Sequence, residues 1–562
     1  MENDNSNIDT AELIAAASDF ANYPASHTDT SAKDFLTRFP LLVILRALQT
    51  REEVPGLENT LVDCQERLFK TKYGASLIPH SMPFVVVGLG ADSQRVRGLA
   101  CKTVSSLLDN THDTATAIQL VLEYKVYPLL LTSLIQGVVG YECGVWTQVS
   151  VHLSCSWLYG SEIGHQRHGC GIRDEQVSAA SMDAIKSLAI TPGGVDIVFP
   201  AETNEATDLK CLLSRSSSLG RVRILALIVK LFSISSSVAS VVYNSNLLSL
   251  LVEEALTGND MLKTLSVIEL LYEAAEVPHG TEFLSKTTIL ELLSSIISNP
   301  MAESILRSRS MMICGRLLSK ENIYMFVDES SLKTVTSAID GRFNVGESLE
   351  PDECECALEA LGNIGSSIQG AKMLLSSSPP AARHVVDAAF AFHGRGGKQL
   401  AGLHALGNIA GEPRPEDDVI LDGAAEESLQ RLIYATASKT SKLTPSGLLL
   451  SVLQQDSEIR LAGYRLIKGL VIRPWCLMEI CSRQEMINII TDSYTETTKI
   501  GMEARYDCCL AIYKAFTSSS KLIRDPSLAA VAAKLQEVVK NGPYLARKHS
   551  EAQPIVVTED RF

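Results

Sequence analysis

The chain has 562 residues, more than one hydrophobic core ordinarily serves, so either several globular domains or a repeat array is expected. Nearly half of it is apolar (46%) but only 6% is aromatic, a composition suited to packed helices of Leu, Ile, Val and Ala. A formal charge of −15 argues against a general nucleic-acid binder, which carries a basic face, and no run reaches the roughly eighteen apolar residues of a membrane span.

In chain order, the opening MENDNSNIDT is acidic and polar and does not read as a signal peptide. The thirteen cysteines are scattered, several of them (Cys101, Cys211, Cys314) at apolar helix positions, so a reducing compartment is expected rather than a disulfide framework. These signs place a soluble protein in the cytoplasm, with the nucleus also open. Residues 1–33 read as a polar tail and linker with one weak helix at 11–20. The helical array is expected from Asp34, where Phe35, Leu36, Phe39, Leu42, Val43 and Leu45 take helical spacing. Residues 84–89 and 96–108 then form a helix pair, with Asp92-Ser93 as a cap.

Residues 138–173 break the pattern. They hold two of the three tryptophans and show no helical apolar stripe. The step from Val104 to its counterpart Ile185 is 81 residues. Removing about 34 returns it to roughly 47, inside the range of helical repeats, so the segment reads as an insertion into a loop. Cys143, Cys155, His165, His168 and Cys170 could be zinc ligands, but the stretch lacks the short Cys pair that zinc sites use, and no metal is expected. An ordinary loop and a retained intron remain. The intron is favoured, because Gly140-Tyr141-Glu142 can be encoded by a donor-like GTATGAG and repeat-like sequence resumes abruptly at Asp174.

Further copies of one helix follow at 178–188, 222–232 and 262–272. Aligning Ile185, Val229 and Ile268 gives steps of 44 and 39 residues. Leu361-Gly362-Asn363-Ile364 recurs unchanged as Leu406-Gly407-Asn408-Ile409, 45 residues on. Looser copies lie at 461–470 and 504–516, with polar loops at 411–427 and 438–446. Periods of about 40–47 residues belong to armadillo and HEAT arrays. The expected fold is therefore all-α: an armadillo/HEAT-like α-solenoid over residues 34–540, a right-handed superhelix of stacked helix pairs or triplets, with 541–562 as a polar tail.

Catalytic chemistry is hard to find. Gly394-Arg395-Gly396-Gly397-Lys398 lacks both the earlier glycine and the following Ser or Thr of a phosphate loop. Metalloprotease and serine-hydrolase signatures are missing from the sequence. Of the adjacent Cys508 and Cys509, only one is expected in the core. No catalytic residue, cofactor or metal is expected, and a binding scaffold is. The aligned position of the repeated helix gives Lys186, Lys230, Glu269, Arg316, Gly362, Gly407, Lys468 and Tyr513, with Asn363 and Asn408 one residue on. Four of these eight are basic in an acidic protein, so the row is expected to face an acidic surface of a partner.

Two resemblances sharpen this. The Ala-Leu-Gly-Asn-Ile helices resemble the third helix of armadillo repeats, whose Asn lines a concave groove; Asn363 and Asn408 take that position. Import adaptors of that class set a Trp four residues earlier. Here Glu359 and His404 stand there, which argues against a groove for nuclear-localisation signals. Second, His279-Gly280 with Phe283-Leu284, then Ile472-Arg473-Pro474-Trp475, then Gly542-Pro543-Tyr544 resemble, in that order, the 26S proteasome non-ATPase regulatory subunit five family. This similarity runs over residues 77–544 apart from the insertion. It implies a curved solenoid that acts as an assembly chaperone, without catalysis. Its implied partner is the C-terminal domain of an ATPase subunit of the regulatory-particle base. A generic armadillo-type adaptor for transport or signalling is the alternative. Pro474 is expected to make Arg473 a helix end, and Trp475 to cover the seam between two units.

Overall fold

The computed structural model describes residues 10–49, 54–110, 113–135, 169–200, 207–257, 260–344, 350–391, 396–415 and 419–544. All regular structure in them is helical. The chain divides into two compact units, Met1–Thr287 and Thr288–Phe562.

The first unit is built on five helices, each packed on the next: α1 (Leu57–Leu68), α2 (Gln94–Asn110), α3 (Gly169–Ile190), α4 (Ser218–Phe232) and α5 (Met261–Glu276). Six more make the spine of the second: α6 (Ser304–Leu318), α7 (Pro351–Ile364), α8 (Gly396–Ala410), α9 (Ser457–Leu470), α10 (Lys499–Ser518) and α11 (Ala529–Asn541). The remaining helices fill the connections and pack against the spine. Because a spine helix has neighbours on several sides, its apolar stripe is wide: Ile224, Leu225, Leu227, Ile228, Leu231 and Phe232 of α4 are all buried. Its entry is fixed by a cap, the Ser217 hydroxyl accepting from the Gly220 N–H, and Asp260, Asp456 and Thr498 do the same for α5, α9 and α10.

The exit of the spine helix uses close approach. Gly74, Gly194, Gly280 and Gly370 each follow by six residues a position near the end of a spine helix: Leu68, Leu188, Ala274 and Ile364. A Cβ at these glycines would stand 2.1, 1.8, 1.9 and 2.0 Å from that residue's carbonyl oxygen. Only glycine lets the next short helix turn back so tightly. Along the second spine, Gly315 would meet Ala360 at 2.8 Å and Gly362 would meet Ala405 at 2.6 Å. The repeated Ala-Leu-Gly-Asn-Ile letters are therefore the seam between spine helices, where small residues let backbones approach.

Several expectations change. Residues 10–33 are not a linker: Thr10–Asn22 and Asp29–Arg38 are helices, and Leu13, Ala17, Phe20, Ala21, Ala32 and Leu36 share a core with Leu57, Leu61, Cys64 and Leu68 of α1. A capping box between Thr28 and Ser31 starts the second helix. Helical packing is thus already present from Thr10, ahead of the expected start at Asp34. Of the expected insertion, 138–168 lie outside the described residues, and 169–173 belong to the start of α3. The helices on either side, Val126–Ile135 and α3, pack directly on each other, with the Ser181 hydroxyl donating to Leu130 O at 2.6 Å, and α3 also packs on α2. The loop expected over 411–427 ends early, because Asp422 caps the helix Gly423–Ser438. Both Cys508 and Cys509 are fully buried, since α10 lies between α9 on one side and α11 with Gln484–Thr491 on the other. Finally, α9 stops at Leu470, and Pro474 opens the helix Pro474–Cys481 rather than closing one, with Arg473 extended as its N-cap.

Candidate partner-binding surface

Before any surface is left for a partner, the buried charges satisfy one another through a recurring clasp. Arg221, Arg307 and Arg460 each stand four residues after the N-cap of their spine helix (Ser217, Glu303 and Asp456). Each gives Nη1 to a carbonyl just before its own helix, Leu213 at 3.0 Å, Ala302, and Gln455 at 2.8 Å. The rest of the guanidinium takes a carboxylate farther along the chain: Glu254 for Arg221 (Nε 2.9 Å), Glu353 for Arg307 (Nε 2.9 Å, Nη2 2.7 Å) and Glu496 for Arg460. The fork matches a carboxylate in a way lysine cannot. These arginines escaped the sequence reading. The cap-plus-four position was a visible signal, but the acid lies 33, 46 and 36 residues away, at no fixed spacing.

The family-like motifs also turn inward. His279 donates from Nε2 to Phe232 O at 2.7 Å and sets its ring edge-on to Phe232 at 5.1 Å, with Phe283 closing a triangle of rings at 5.8 Å from Phe232 and 6.2 Å from His279. Arg473 is 2% exposed; it donates to Ala410 O at 3.0 Å, to Gly469 O at 2.8 Å, and with Nε and Nη2 to Glu426 at 2.6 and 2.8 Å. It staples the loop after α8 to the end of α9. Trp475 is half-buried against Tyr434, ring centroids 5.7 Å apart, on the seam between Gly423–Ser438 and Pro474–Cys481. Gly542 ends α11 with φ +79°, and the Tyr544 hydroxyl donates to Glu503 of α10.

The expected row of polar residues does lie along the spine, but it is not a free basic stripe. In the first unit Lys230 of α4 pairs with Asp183 of α3 at 2.5 Å, as Lys102 of α2 does with Glu66 of α1 at 2.7 Å. Lys186 is half-buried and, among the described residues, makes no ion pair, while Glu269 is half-buried on α5. In the second unit Asn408 accepts from Arg465 Nη2 at 2.7 Å, and Glu412 takes Arg465 Nε at 2.8 Å and Lys468 Nζ at 3.3 Å. Arg465 Nη1 stands 3.2 Å from His404 Nδ1, and since a guanidinium only donates, Nδ1 accepts; burial and the Arg465 charge lower the His404 pKa. Burial raises Glu359 of α7 while Arg316 of α6 opposes the rise. Gly362 and Gly407 are buried in the seam and leave the surface. Since Gly315 takes the place that Gly362 takes one unit later, Arg316 is in register with Asn363 and Asn408, one residue off the expected alignment. The result is a ladder of opposite charges rung across neighbouring helices. The two units carry separate parts of it.

A family profile described as proteasome non-ATPase 26S subunit matches residues 170–560, well over half the chain. The chain belongs to that family. Relatives named 26S proteasome non-ATPase regulatory subunit 5 agree: the Bos taurus protein is 23% identical over 382 residues, 67% of this chain and 71% of the relative. The Homo sapiens protein is 21% identical over 378 residues, 66% and 70% of the two chains. Among solved structures, a crystal structure of an engineered protein overlays 82% of this chain and 99% of its own with TM-score 0.42 at 15% identity. In this proteasome-subunit family member, His279 and Arg473 are thus held by contacts within the fold.

Proposed function

We propose that the chain is a non-enzymatic chaperone for assembly of the 26S proteasome regulatory-particle base, holding the C-terminal domain of one of its ATPase subunits. Family membership over residues 170–560 is the observation that carries this reading. The relatives are named as non-ATPase regulatory subunits, which fits a scaffold rather than a catalyst. The contact surface is proposed to be the charge ladder of the spine helices, because each unit presents paired charges that can exchange partners with a complementary face. Such contacts act mainly on association rate and specificity and weaken with salt. Affinity capture from cytosol tests the function: base ATPase subunits without mature core particle are expected, whereas transport or signalling cargo in their place would establish the adaptor alternative. Charge reversal at Lys186 and Lys230 in the first unit, and at Lys468 in the second, tests the surface separately and together. Weaker capture at low salt with unchanged melting is expected, and unchanged capture would move the contact to the loops or the opposite face.

A further inference from the structure

At the N-terminal end of the first unit, outside the residues matched by the family profile, the helices Thr10–Asn22 and Asp29–Arg38 enclose an open cleft of about 670 Å³. Its floor is aromatic. Phe20 and His27 stack in parallel at 3.6 Å, Phe35 meets Phe20 at 4.7 Å and Phe39 at 5.6 Å, and Tyr23 leans on His27 at 5.2 Å. The imidazole is not available to a ligand, because Nε2 is 2.7 Å from Phe20 O and Nδ1 is 3.3 Å from Ser31 Oγ. Tyr23, by contrast, is 52% exposed, and Phe35 is only half-buried. Two carboxylates, Asp19 from one helix and Asp34 from the other, line the same cleft, are exposed, and make no ion pair among the described residues. The one cation in the lining, Arg38, is already committed to Glu12 and to the face of Phe39 at 5.1 Å.

Open aromatic faces beside unpaired carboxylates are complementary to a flat organic cation. A guanidinium stacks on a ring and offers a fork to a carboxylate at once, which an ammonium cannot do. The cleft is also larger than one side chain and is open, leaving room for the backbone that carries it. We propose that this cleft binds an arginine side chain of a partner polypeptide, stacked against Tyr23 and Phe35 and paired with Asp19 or Asp34. The site is independent of the assembly role proposed above, and either can fail without the other.

The test is saturation-transfer difference NMR on the full chain, with the tetrapeptide acetyl-Gly-Arg-Gly-Gly-amide as probe and its citrulline counterpart as the uncharged isostere. Transfer to the arginine methylenes is expected, with little to the citrulline peptide. Asp19→Asn with Asp34→Asn, and separately Tyr23→Ala, should each weaken binding about tenfold. These side chains are exposed, so melting should stay unchanged, and a melting scan of each variant checks this. Free arginine amide should bind more weakly than the peptide if the backbone is held as well. Equal transfer to the citrulline peptide, undiminished binding in the double variant, or no transfer to either peptide overturns the proposal.

Discussion

Glu353 is 1% exposed and holds two guanidiniums, Arg307 through both oxygens and Arg342 through Oε1 at 2.7 Å. Burial alone would raise its pKa, but the hydrogen bonds and charges of the two arginines outweigh burial and hold it below the usual carboxylate range. Removing it leaves two largely buried guanidiniums without their counter-charge, so Glu353→Ala should cost about 3–5 kcal/mol in urea unfolding. The sign of the pH effect follows from the lowered native pKa. The stabilisation is complete above the carboxylate range of the unfolded chain and disappears as pH falls through the native value. Wild type should therefore lose more stability on acidification than Glu353→Gln; parallel pH profiles would show that the pair does not control acid unfolding. Trp475 belongs to the same scale. Half-buried against Tyr434, it should cost about 2 kcal/mol as Trp475→Ala, less than a fully buried tryptophan would. Unchanged melting together with lost ATPase-subunit capture would instead make it a contact residue.

The glycine that lets the chain turn back after four of the spine helices gives the sharpest prediction at the scale of elements. A methyl on Gly370 would lie 2.0 Å from Ile364 O, and backbone cannot yield there, so Gly370→Ala should cost about 3 kcal/mol. Gly423→Ala meets nothing within 4 Å at the start of its helix and should be neutral or slightly stabilising. Comparing the two melting temperatures isolates close approach from chain entropy. Deleting 138–168 is a second test, since α2 and α3 already touch. Far-UV circular dichroism and melting should be retained, and a collapsed transition would show that the array depends on the segment. These elements also show what the sequence can convey. The 45-residue echo of Leu-Gly-Asn-Ile was legible because small residues recur where α6, α7 and α8 approach closely. The N-terminal helices were not, because a stripe of Leu13, Ala17 and Phe20 is too short to stand out until α1 covers it. The polar row was found but not its pairing: Lys230 with Asp183, or Lys468 with Glu412, depends on how adjacent helices are set side by side, and a one-residue slip misplaced Arg316.

At the scale of the whole molecule, each unit is a stack whose members contact mainly their neighbours, which distributes its stability as a series of local couplings. Ten cysteines among the described residues are free, eight of them buried, and both units carry them: Cys64 in α1, Cys101 in α2, Cys314 in α6, Cys354 in α7, Cys476 in Pro474–Cys481, Cys508 in α10. Burial pushes the Cys64, Cys101 and Cys476 thiols up to about 12 and those of Cys481 and Cys509 to about 11. The eight buried sulfurs therefore present almost no thiolate to an alkylating reagent, and each becomes reactive only when its own layer parts from the next. The protein carries a set of native clocks. Pulsed alkylation read by mass spectrometry would time the opening of each layer without any substitution, and a bound partner would slow only the clocks of the layers it clamps.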